Sequence, residues 1–556
     1  MTRALAGVLV LAALVTGCAA IPTDGPVTQG DVITDTTDTR VDFLPSAPRA
    51  GETQEQILDD FMQAVTSPNQ RYEIARQYLA KSVRATWDPD KGVTIRTGTA
   101  TRTPTAGTTD SYTYQFDSTS RVDAQGQYHD DGDASVRLDF HFVKEDGEWR
   151  ISKLDDGIVL SADNFGVVFA EYPVYFFDPT YAYLVPDVRW FPQTSLIATR
   201  IASALAQGPA DWLQGAVVSA FPTGAKVDNE VAVDSGVATV DLSDEVTDAT
   251  PEQKARMRQQ LAASLTSVPV VSSILLTVGG VPLTVDGGAA VQADADPSVG
   301  SLPLGLSGGA FGYVSSGGVS AVPGIAAAVA ALKPLGVAYG AGSGVAAVRT
   351  GVGVYRVDAN GQSRVIDARA GLIDPTMDPQ GLIWTATASG PSSIVAVDRD
   401  ASRHAVKVTG FADSDRLVAL ELSRDGTRAL VVTTGTNGPH VYVAGVIRQA
   451  RIPVQLGALV ELASGGPVPL DATWIDGTDV ATLTDFGTEA SVTEYDLGGP
   501  STSLGVVTGG EQMVGGNLGV DGLRVRSSTG ELQRLRSSSW QGTGVSADVL
   551  ATQYPQ

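Results

Sequence analysis

The spacing of hydrophobic residues changes along the first third of this chain. Between residues 52 and 81, apolar side chains recur every three or four positions, and Ser67-Pro68-Asn69 interrupts them. This pattern predicts two helices. Residues 112–116 and 136–142 instead alternate apolar and polar side chains, which predicts antiparallel strands. Residues 51–165 are therefore predicted to form an α+β domain in which helices pack on a sheet.

A second region, residues 166–285, mixes strands with helices and is predicted to be an α/β module. Its expected elements are a strand at 174–177, a helix from Ser195 to the Gly208-Pro209 stop, a hairpin around Gly236, a helix opened by Thr250-Pro251-Glu252, and a strand within 268–278.

The last part of the chain, residues 300–556, is glycine-rich and strand-like. Six turn glycines precede short apolar strands at intervals of 35 to 51 residues: Gly309, Gly344, Gly381, Gly426, Gly477 and Gly522. Several strands per unit at such a period are typical of propeller blades, which must stack around an axis to bury both faces. We expect an all-β propeller of about six blades, with five or seven still open. Residues 286–301 are expected to link it to the module before it.

The N-terminus carries the one cysteine of the 556 residues. Arg3 is followed by an apolar run over residues 4–15, which is shorter than the about 20 residues of a membrane-spanning helix and has the layout of a secretory signal. Val15-Thr16-Gly17-Cys18 resembles a bacterial lipobox. The alternatives are an ordinary secretory signal and a buried structural cysteine. Residues 1–17 are thus predicted to be a signal peptide.

The lipobox resemblance implies that Cys18 carries S-diacylglycerol on its sulfur and an N-palmitoyl group on its freed amine. Residues 18–50 would then comprise the lipidated cysteine and a flexible tether, because they are rich in Thr, Asp, Pro and Gly and lack apolar periodicity. The expected localisation is the cell membrane, lipid-anchored, on its extracytoplasmic face.

Composition narrows the range of partners. The formal net charge is −24 and hydrophobic residues make up 43% of the chain. The acidic balance argues against a nucleic-acid partner, which selects basic patches. The apolar content is sufficient for several folded domains, and the length favours two to four of them.

The sequence gives only weak signals for catalytic or metal-binding residues. Gly305-Leu306-Ser307-Gly308-Gly309 fits G-x-S-x-G, but a nucleophile elbow needs a strand before the serine and a helix after it, and here a hairpin is predicted. The histidines have no metal-ligand spacing: His129, His141, His404 and His440. Residues 130–133, Asp-Asp-Gly-Asp, are interpreted as a solvated loop rather than a calcium site. We expect no catalytic residue, no metal and no cofactor, and hence not an enzyme.

Three aromatic residues in the second region, Trp190, Phe191 and Trp212, have two interpretations. They could line a surface groove, or they could be core or staple residues. The second interpretation is favoured because aromatic side chains bury readily.

The order of these features resembles known families. Residues 205–209, 220–224 and 238–243 are similar to the GerMN module of spore germination, with Val240-Asp241-Leu242-Ser243 the most telling element. The whole chain resembles the actinobacterial lipoprotein LpqB family in the order of its features, which are the lipobox, the tether, the helix-plus-sheet domain, the GerMN-like module and the propeller. That resemblance implies association with the sensor kinase MtrB of the MtrA-MtrB system and a bearing on cell-wall homeostasis and division. The family resemblance implies a functional role for one residue of this chain, Cys18.

Two hypotheses follow. The first is a binding and regulatory lipoprotein whose partner is the external domain of the sensor kinase. The alternative is a cell-wall glycan-binding or hydrolytic propeller protein with its site in the central channel. Clustered carboxylates at a polar channel mouth would favour the alternative, whereas a dry channel with an exposed apolar patch would favour the first.

Overall fold

The computed structural model describes residues 45–285 and 292–555, all within one unit, Phe43–Gln556. The predicted signal peptide, Cys18 and the tether up to residue 44 lie outside the described residues. Residues 45–50, assigned to the tether from the sequence, pack on the first domain: Ser46 O accepts from Tyr78 Oη at 2.8 Å and Arg49 Nε donates to Glu52 at 2.8 Å. The tether prediction therefore extends a few residues too far.

The first helix begins with a capping box. Thr53 Oγ1 accepts from Gln56 N at 3.3 Å, and Gln56 Oε1 accepts from Thr53 N at 2.9 Å. The helices of this domain are α1 (Gln54–Ala64), α2 (Glu73–Gln77), α3 (Lys81–Arg84) and α4 (Ala162–Val168). The second predicted helix is broken into α2 and α3, because Tyr78 and Ala80 form backbone hydrogen bonds with Ile151 of the sheet.

A five-stranded sheet completes the first domain. Its strands are β1 (Gly92–Pro104), β2 (Ser111–Asp123), β3 (Tyr128–Glu145), β4 (Glu148–Lys153) and β5 (Ile158–Ser161). The order is β4-β3-β2-β1-β5, antiparallel except for the β1–β5 pair. The core lies between helices and sheet, where Phe61 contacts Trp87 and Phe140 edge to face. The α+β prediction is confirmed.

The second domain has a hairpin and a mixed sheet. Its elements are β6 (Phe169–Phe177), β7 (Leu184–Pro192), α5 (Ile197–Gln207), β8 (Ala232–Asp234), β9 (Val237–Leu242), α6 (Pro251–Leu265), β10 (Ser273–Val278) and β11 (Val281–Pro282). The sheet order is β11-β10-β9-β8 with β9 and β10 parallel, and β6 pairs with β7 separately. Thr250 caps α6 by accepting from Gln253 N at 3.2 Å, as its position before a proline predicts. Strand β7 was not predicted.

The third domain contains twenty-four strands and one helix, α7 (Ala326–Ala331). The strands are β12 (Leu304–Ser307), β13 (Ala310–Ser315), β14 (Gly318–Ala321), β15 (Gly336–Gly340), β16 (Val345–Thr350), β17 (Gly353–Val357), β18 (Ser363–Asp367), β19 (Thr376–Met377), β20 (Ile383–Thr385), β21 (Val395–Val397), β22 (Arg403–Ala405), β23 (Arg416–Leu422), β24 (Arg428–Gly435), β25 (Gly438–Gln449), β26 (Ile452–Ser464), β27 (Pro469–Trp474), β28 (Asp479–Asp485), β29 (Glu489–Asp496), β30 (Ser501–Thr508), β31 (Gly510–Val514), β32 (Arg524–Ser527), β33 (Glu531–Arg536), β34 (Ser539–Ser546) and β35 (Val549–Tyr554).

These strands form six four-stranded antiparallel blades. Five are continuous in sequence, from β15–β18 to β31–β34, and the sixth consists of β12–β14 with the C-terminal β35 as its innermost strand. Strand β35 also pairs in parallel with β15, where Val337 lies opposite Ala551. The last strand of the chain thus joins the first blade to the second. The prediction of about six blades is confirmed.

Five of the six turn glycines occupy the same place in their blades, and the sixth, Gly309, lies one strand further out. Gly344, Gly381, Gly426 and Gly477 lie between the first and second strands of their blades, and Gly522 occupies the same place in the last continuous blade. Gly309 lies instead between the second and third strands of its blade, because the innermost strand there comes from the other end of the chain.

Candidate functional site

The linker between the second domain and the propeller crosses one end of the propeller channel. Arg424, which follows β23, donates to Pro297 O at 3.4 Å, and also to the carbonyls of Ile475 and Gly516, which follow β27 and β31. Val299 exchanges two hydrogen bonds with the Asn517 side chain, at 3.0 and 2.6 Å. Residues after three innermost strands therefore hold Pro297 and Val299 at this end of the propeller.

At the opposite end, where the innermost strands begin, the channel opens into a cavity of about 440 Å³. We call it the channel chamber. Its lining has five carboxyl side chains and two guanidinium groups, contributed by every innermost strand or by a residue beside it: Asp374, Glu421, Asp471, Glu511, Asp548, Arg349 and Arg526. The chamber is polar and carries an excess of acidic groups.

Glu421 lies deep in the chamber, near the end of β23, and is 8% exposed. Its carboxyl group accepts from Thr473 Oγ1 at 3.2 Å and from the backbone N–H of Trp474. Burial raises the pKa of Glu421 well above its usual value, and the nearby Asp471 acts in the same direction. The chamber therefore favours the neutral form of Glu421 over its carboxylate.

Asp471 of β27 joins two innermost strands. Its Oδ2 accepts from Met513 N of β31 at 2.8 Å, and its Oδ1 accepts from Ala472 N at 2.9 Å. Burial raises the pKa of Asp471 to about 7, although both backbone N–H groups act in the opposite direction. Because both oxygens are engaged, Asp471 has a structural role in addition to its place in the lining.

The two arginines are neutralised within the chamber. Arg349 pairs with Asp374, and Arg526 Nη2 contacts Glu511 Oε2 at 2.8 Å. Two of the five carboxylates are thus paired with cations, which leaves Glu421, Asp471 and Asp548 without one in the lining.

Two exposed apolar side chains lie at the chamber mouth. Leu335 and Leu470 line the cavity and are 52% and 40% exposed. We call these two residues the apolar rim.

The aromatic residues singled out from the sequence lie in the seams between domains. Trp190 packs against Phe165 of the first domain with ring centroids 4.6 Å apart, and its Nε1 donates to Gly498 O of the propeller at 2.5 Å. Trp212 packs against the cores of both the second domain and the propeller, and Phe191 is buried in the second domain. Trp190 and Trp212 connect neighbouring domains, as expected of staple residues. Phe191 is a core residue of the second domain.

Two carboxyl groups face each other across the seam between the second domain and the propeller. The oxygens of Glu171 and Asp496 both lie 2.9 Å from the point where a Cβ on Gly499 would stand. Burial raises the pKa of Glu171 to about 8, and Asp496 contributes in the same direction. One proton is therefore held between these two groups at neutral pH.

Ser307 does not lie in a nucleophile elbow. It ends β12, and the next turn, with Gly308 and Gly309 at positive φ, leads into β13 rather than a helix. Its Oγ donates to Ser546 O at 2.7 Å. The surroundings agree with the hairpin predicted from the sequence.

The four histidines lie apart, each with its own partner. His129 contacts Asp123, His141 contacts Ser111, His404 contacts Asp398 and His440 contacts Glu461, at 2.8, 2.9, 3.2 and 2.6 Å. Residues 130–133 belong to β3 and not to a loop, because Asp130 pairs with Ser120 across a bulge in the sheet. Within residues 45–285 and 292–555, no group of three His, Cys, Asp or Glu side chains could hold a metal ion.

No sequence pattern indicates the residues that line the chamber. Glu421 and Asp471 are single acidic positions in ordinary strand patterns. Because the chain has 62 acidic residues, the sequence does not distinguish these two from the others. Their position on two innermost strands is visible only after the blades are assembled. None of the helices in the described ranges is long and apolar enough to cross a membrane.

Three family models match the chain in the order of its domains. Residues 47–166 match a model described as "Lipoprotein LpqB, N-terminal domain". Residues 173–284 match "Sporulation and spore germination", and residues 309–545 match "Lipoprotein LpqB beta-propeller domain".

Curated relatives agree with these matches. "Lipoprotein LpqB" of Nocardia farcinica is 29% identical over 95% of this chain and 94% of its own length, and that of Thermobifida fusca is 25% identical over 90% and 91%. The match to "Lipoprotein LpqB" of Cutibacterium acnes, at 30% identity, covers 48% of this chain and 45% of that protein.

Solved structures match single domains. The first GerMN domain of GerM from Bacillus subtilis is 21% identical and covers 23% of this chain and 96% of its own, with a TM-score of 0.19. A gluconolactonase from Xanthomonas campestris is 15% identical and covers 46% of this chain and 89% of its own, with a TM-score of 0.31.

Proposed function

Because the chain belongs to the lipoprotein LpqB family, we propose that it is a membrane-anchored extracytoplasmic lipoprotein that binds the external part of the sensor kinase MtrB. In this role it bears on the MtrA-MtrB two-component system and through it on cell-wall homeostasis and division. The anchor is the lipid on Cys18, and the protein acts by binding and not by catalysis.

Support comes from the way the three domains are joined. Trp190 contacts all three domains, and Trp212 connects the cores of the last two. A chain held together in this manner presents its surfaces in fixed positions, which lowers the entropic cost of binding a partner. A lipid anchor adds to this by holding both proteins at high effective concentration in one membrane.

Crosslinking in intact cells followed by mass spectrometry tests the partner. We expect the sensor kinase among the crosslinked proteins when the wild-type lipoprotein is used, and much less of it with Cys18→Ala, which cannot be lipidated. Recovery of wall glycan without the kinase would reject the proposal.

A second candidate function is binding or hydrolysis of cell-wall glycan in the channel chamber. The polar mouth with clustered carboxyl groups favours it, and carboxyl groups with raised pKa values, such as Glu421 and Asp471, are typical of general acids. Against hydrolysis, both oxygens of Asp471 are engaged by backbone N–H groups.

The second function is tested with purified peptidoglycan. Release of soluble fragments by the wild-type protein, abolished in Glu421→Gln and unchanged in Glu73→Gln, would establish it. We expect no fragments from any of the three proteins.

A further inference from the structure

A long cleft lies where the three domains meet. Its first part, about 760 Å³, is bounded by the turn between β2 and β3 of the first domain, the segment after α5 of the second domain, and β26 of the propeller. Its second part, about 650 Å³, continues along β26 and over β28 and β29 of the next blade. Both parts share six lining residues and are therefore continuous: Asp130, Asp131, Glu461, Leu462, Tyr495 and Ser501. We call this space the junction cleft.

We propose that the junction cleft binds a segment of a linear, uncharged polysaccharide. Among the described residues, the cleft and the channel chamber have no lining residue in common, so this is a different site. The inference concerns binding without cleavage of the glycan, and it does not depend on the proposed kinase partner.

The shape of the cleft favours a polymer over a compact small molecule. Its lining follows β26 from Ala458 to Ser464. Because a strand rises about 3.3 Å per residue, this stretch alone is roughly 20 Å long. A cleft of this length can contact several consecutive units of a chain.

Aromatic side chains are spaced along the cleft. Trp212 and Tyr128 line the first part, Tyr495 lines both parts, and Phe486 lines the second part, where it is 58% exposed. An exposed aromatic ring gains free energy when an apolar surface covers it. One face of a pyranose ring presents C–H groups, and a polysaccharide repeats that face along its length. Rings at separate points of a cleft therefore suit a chain of sugars.

Carboxyl and amide side chains line the cleft beside these rings. Gln214 Nε2 donates to Asp211 Oδ1 at 3.1 Å, and His440 Nδ1 lies 2.6 Å from Glu461 Oε1. These contacts hold the two carboxyl groups in place, and each group has the capacity to accept further hydrogen bonds from sugar hydroxyls at low entropic cost. Further amides of the lining supply both donors and acceptors: Gln125, Gln127 and Gln207.

The charge of the lining argues against an anionic polymer. Over the described part of the chain, the residues that line the cleft include no lysine and one arginine, Arg189. Arg189 is 2% exposed, and its Nη2 donates to Asp187 at 2.7 Å. A phosphate-bearing chain requires exposed cations, which a buried and paired guanidinium does not provide. An uncharged chain that binds through hydroxyl groups has no such requirement.

Calorimetric titration of the full mature chain carrying Cys18→Ser tests the class of ligand. The probes are chitohexaose, cellohexaose, the monosaccharide N-acetylglucosamine, and the extended basic peptide acetyl-Lys-Val-Lys-Val-Lys-amide. We expect at least one hexasaccharide to bind, and to bind at least about tenfold more tightly than the monosaccharide, because the cleft contacts several sugars at once.

Two results of this titration would overturn the proposal. One is the absence of binding by both hexasaccharides at about 1 mM. The other is a hexasaccharide affinity equal to that of the monosaccharide. Binding of the peptide in place of the sugars would identify the cleft as a peptide site instead.

Removal of the exposed ring tests whether the sugar lies in the cleft. We expect Phe486→Ala to weaken the hexasaccharide about tenfold, since one stacking contact is lost, and to leave thermal unfolding unchanged because the side chain is exposed. Val352→Ala is the matched control, because Val352 is 72% exposed on the propeller and is not a lining residue of the cleft. The control should bind as the wild type does.

Glu461→Gln tests the hydrogen bonds to the sugar. The substitution keeps the size of the side chain and replaces one acceptor oxygen with an amide, and we expect about tenfold weaker binding. Glu73→Gln, at an exposed position of the first domain, should not change the affinity. Unchanged affinity in both Phe486→Ala and Glu461→Gln would place the sugar outside the junction cleft and overturn the proposal.

Discussion

At the scale of single residues, the acids in the chamber and in the seam show how burial alters ordinary carboxyl groups. Glu171 faces Asp496, and Glu421 is buried beside Asp471, so the pKa of each glutamate is raised above its usual value. Such groups make the free energy of unfolding depend on pH in the direction opposite to that of a salt-bridged acid.

Glu171→Gln is predicted to stabilise the protein above neutral pH. The folded-state pKa of about 8 lies above the usual value of 4.5, so the folded state holds a proton that the unfolded state has lost, and the free energy of unfolding falls as pH rises between these values. Glutamine removes that loss. We expect a gain of about 1 kcal/mol at pH 8, reduced by solvent at the seam, and almost none at pH 4.5.

Thermal unfolding of both proteins across this pH range provides the measurement. The control is Glu73→Gln, which replaces an exposed glutamate at the start of α2. A stability difference between Glu171→Gln and wild type that stays constant from pH 4.5 to pH 8 would contradict the assignment.

At the scale of elements, the seams depend on close backbone contacts. The short helical turn Asp211–Leu213 of the second domain packs between β25 and β26 of the propeller. A Cβ on Gly445 would stand 2.7 Å from Ala216 Cβ and 2.8 Å from Trp212 O, so this position tolerates no side chain without movement.

Gly445→Ala should therefore loosen the seam between the second domain and the propeller. We expect a loss of about 1–3 kcal/mol, the usual range for overpacking. Gly351→Ala is the matched control, because a Cβ there has no heavy atom within 4 Å. Limited proteolysis of the linker is the readout. Equal cleavage rates in the two variants would show that the contact between the second domain and the propeller does not depend on Gly445.

Closure of the propeller is the second property of elements that can be tested. Strand β35 is the innermost strand of the first blade and pairs with β12 and β15. Deletion of residues 549–556 should open the ring and expose the apolar faces of both blades, whereas deletion of Gln556 alone should not. Dye binding to exposed apolar surface, together with circular dichroism, checks this. A truncated protein that melts like the wild type would mean that the closure contributes nothing.

The sequence predicts those features of the fold that are local. An Asp-Gly turn followed by an apolar strand is a short-range signal, and Gly426 and Gly477 mark their blades correctly. Gly309 is out of phase because its blade takes a strand from residues 549–554, and a pattern read along the chain cannot show such pairing. The same applies to the helix broken at Tyr78, where backbone pairing with Ile151 replaces helical bonds.

The candidate site could not be predicted for a related reason. Glu421 and Asp471 are 50 positions apart in the sequence, and each alone resembles a solvated strand position. Only the ring of innermost strands places them in one chamber and raises their pKa values. The residue that the sequence does indicate, Cys18, depends on a local motif and lies outside the described residues.

At the scale of the whole molecule, the proposed lipid anchor would hold three domains that pack against one another. A single acyl chain binds membranes marginally and two or more bind stably, so the modified Cys18 should retain the entire chain at the membrane.

Cys18→Ala is accordingly predicted to release the protein from membranes without unfolding it. Fractionation after a carbonate wash should find the wild type in the membrane pellet and the variant outside it, while circular dichroism spectra of the two agree. Retention of the variant in the washed pellet would mean that another part of the chain binds the membrane.

Equilibrium binding between two purified proteins tests the proposed partnership most directly. The mature chain carrying Cys18→Ser is titrated with the external domain of the sensor kinase. We expect saturable binding with a Kd of about 1 μM. Absence of binding by the wild-type protein at the highest soluble concentrations would contradict it.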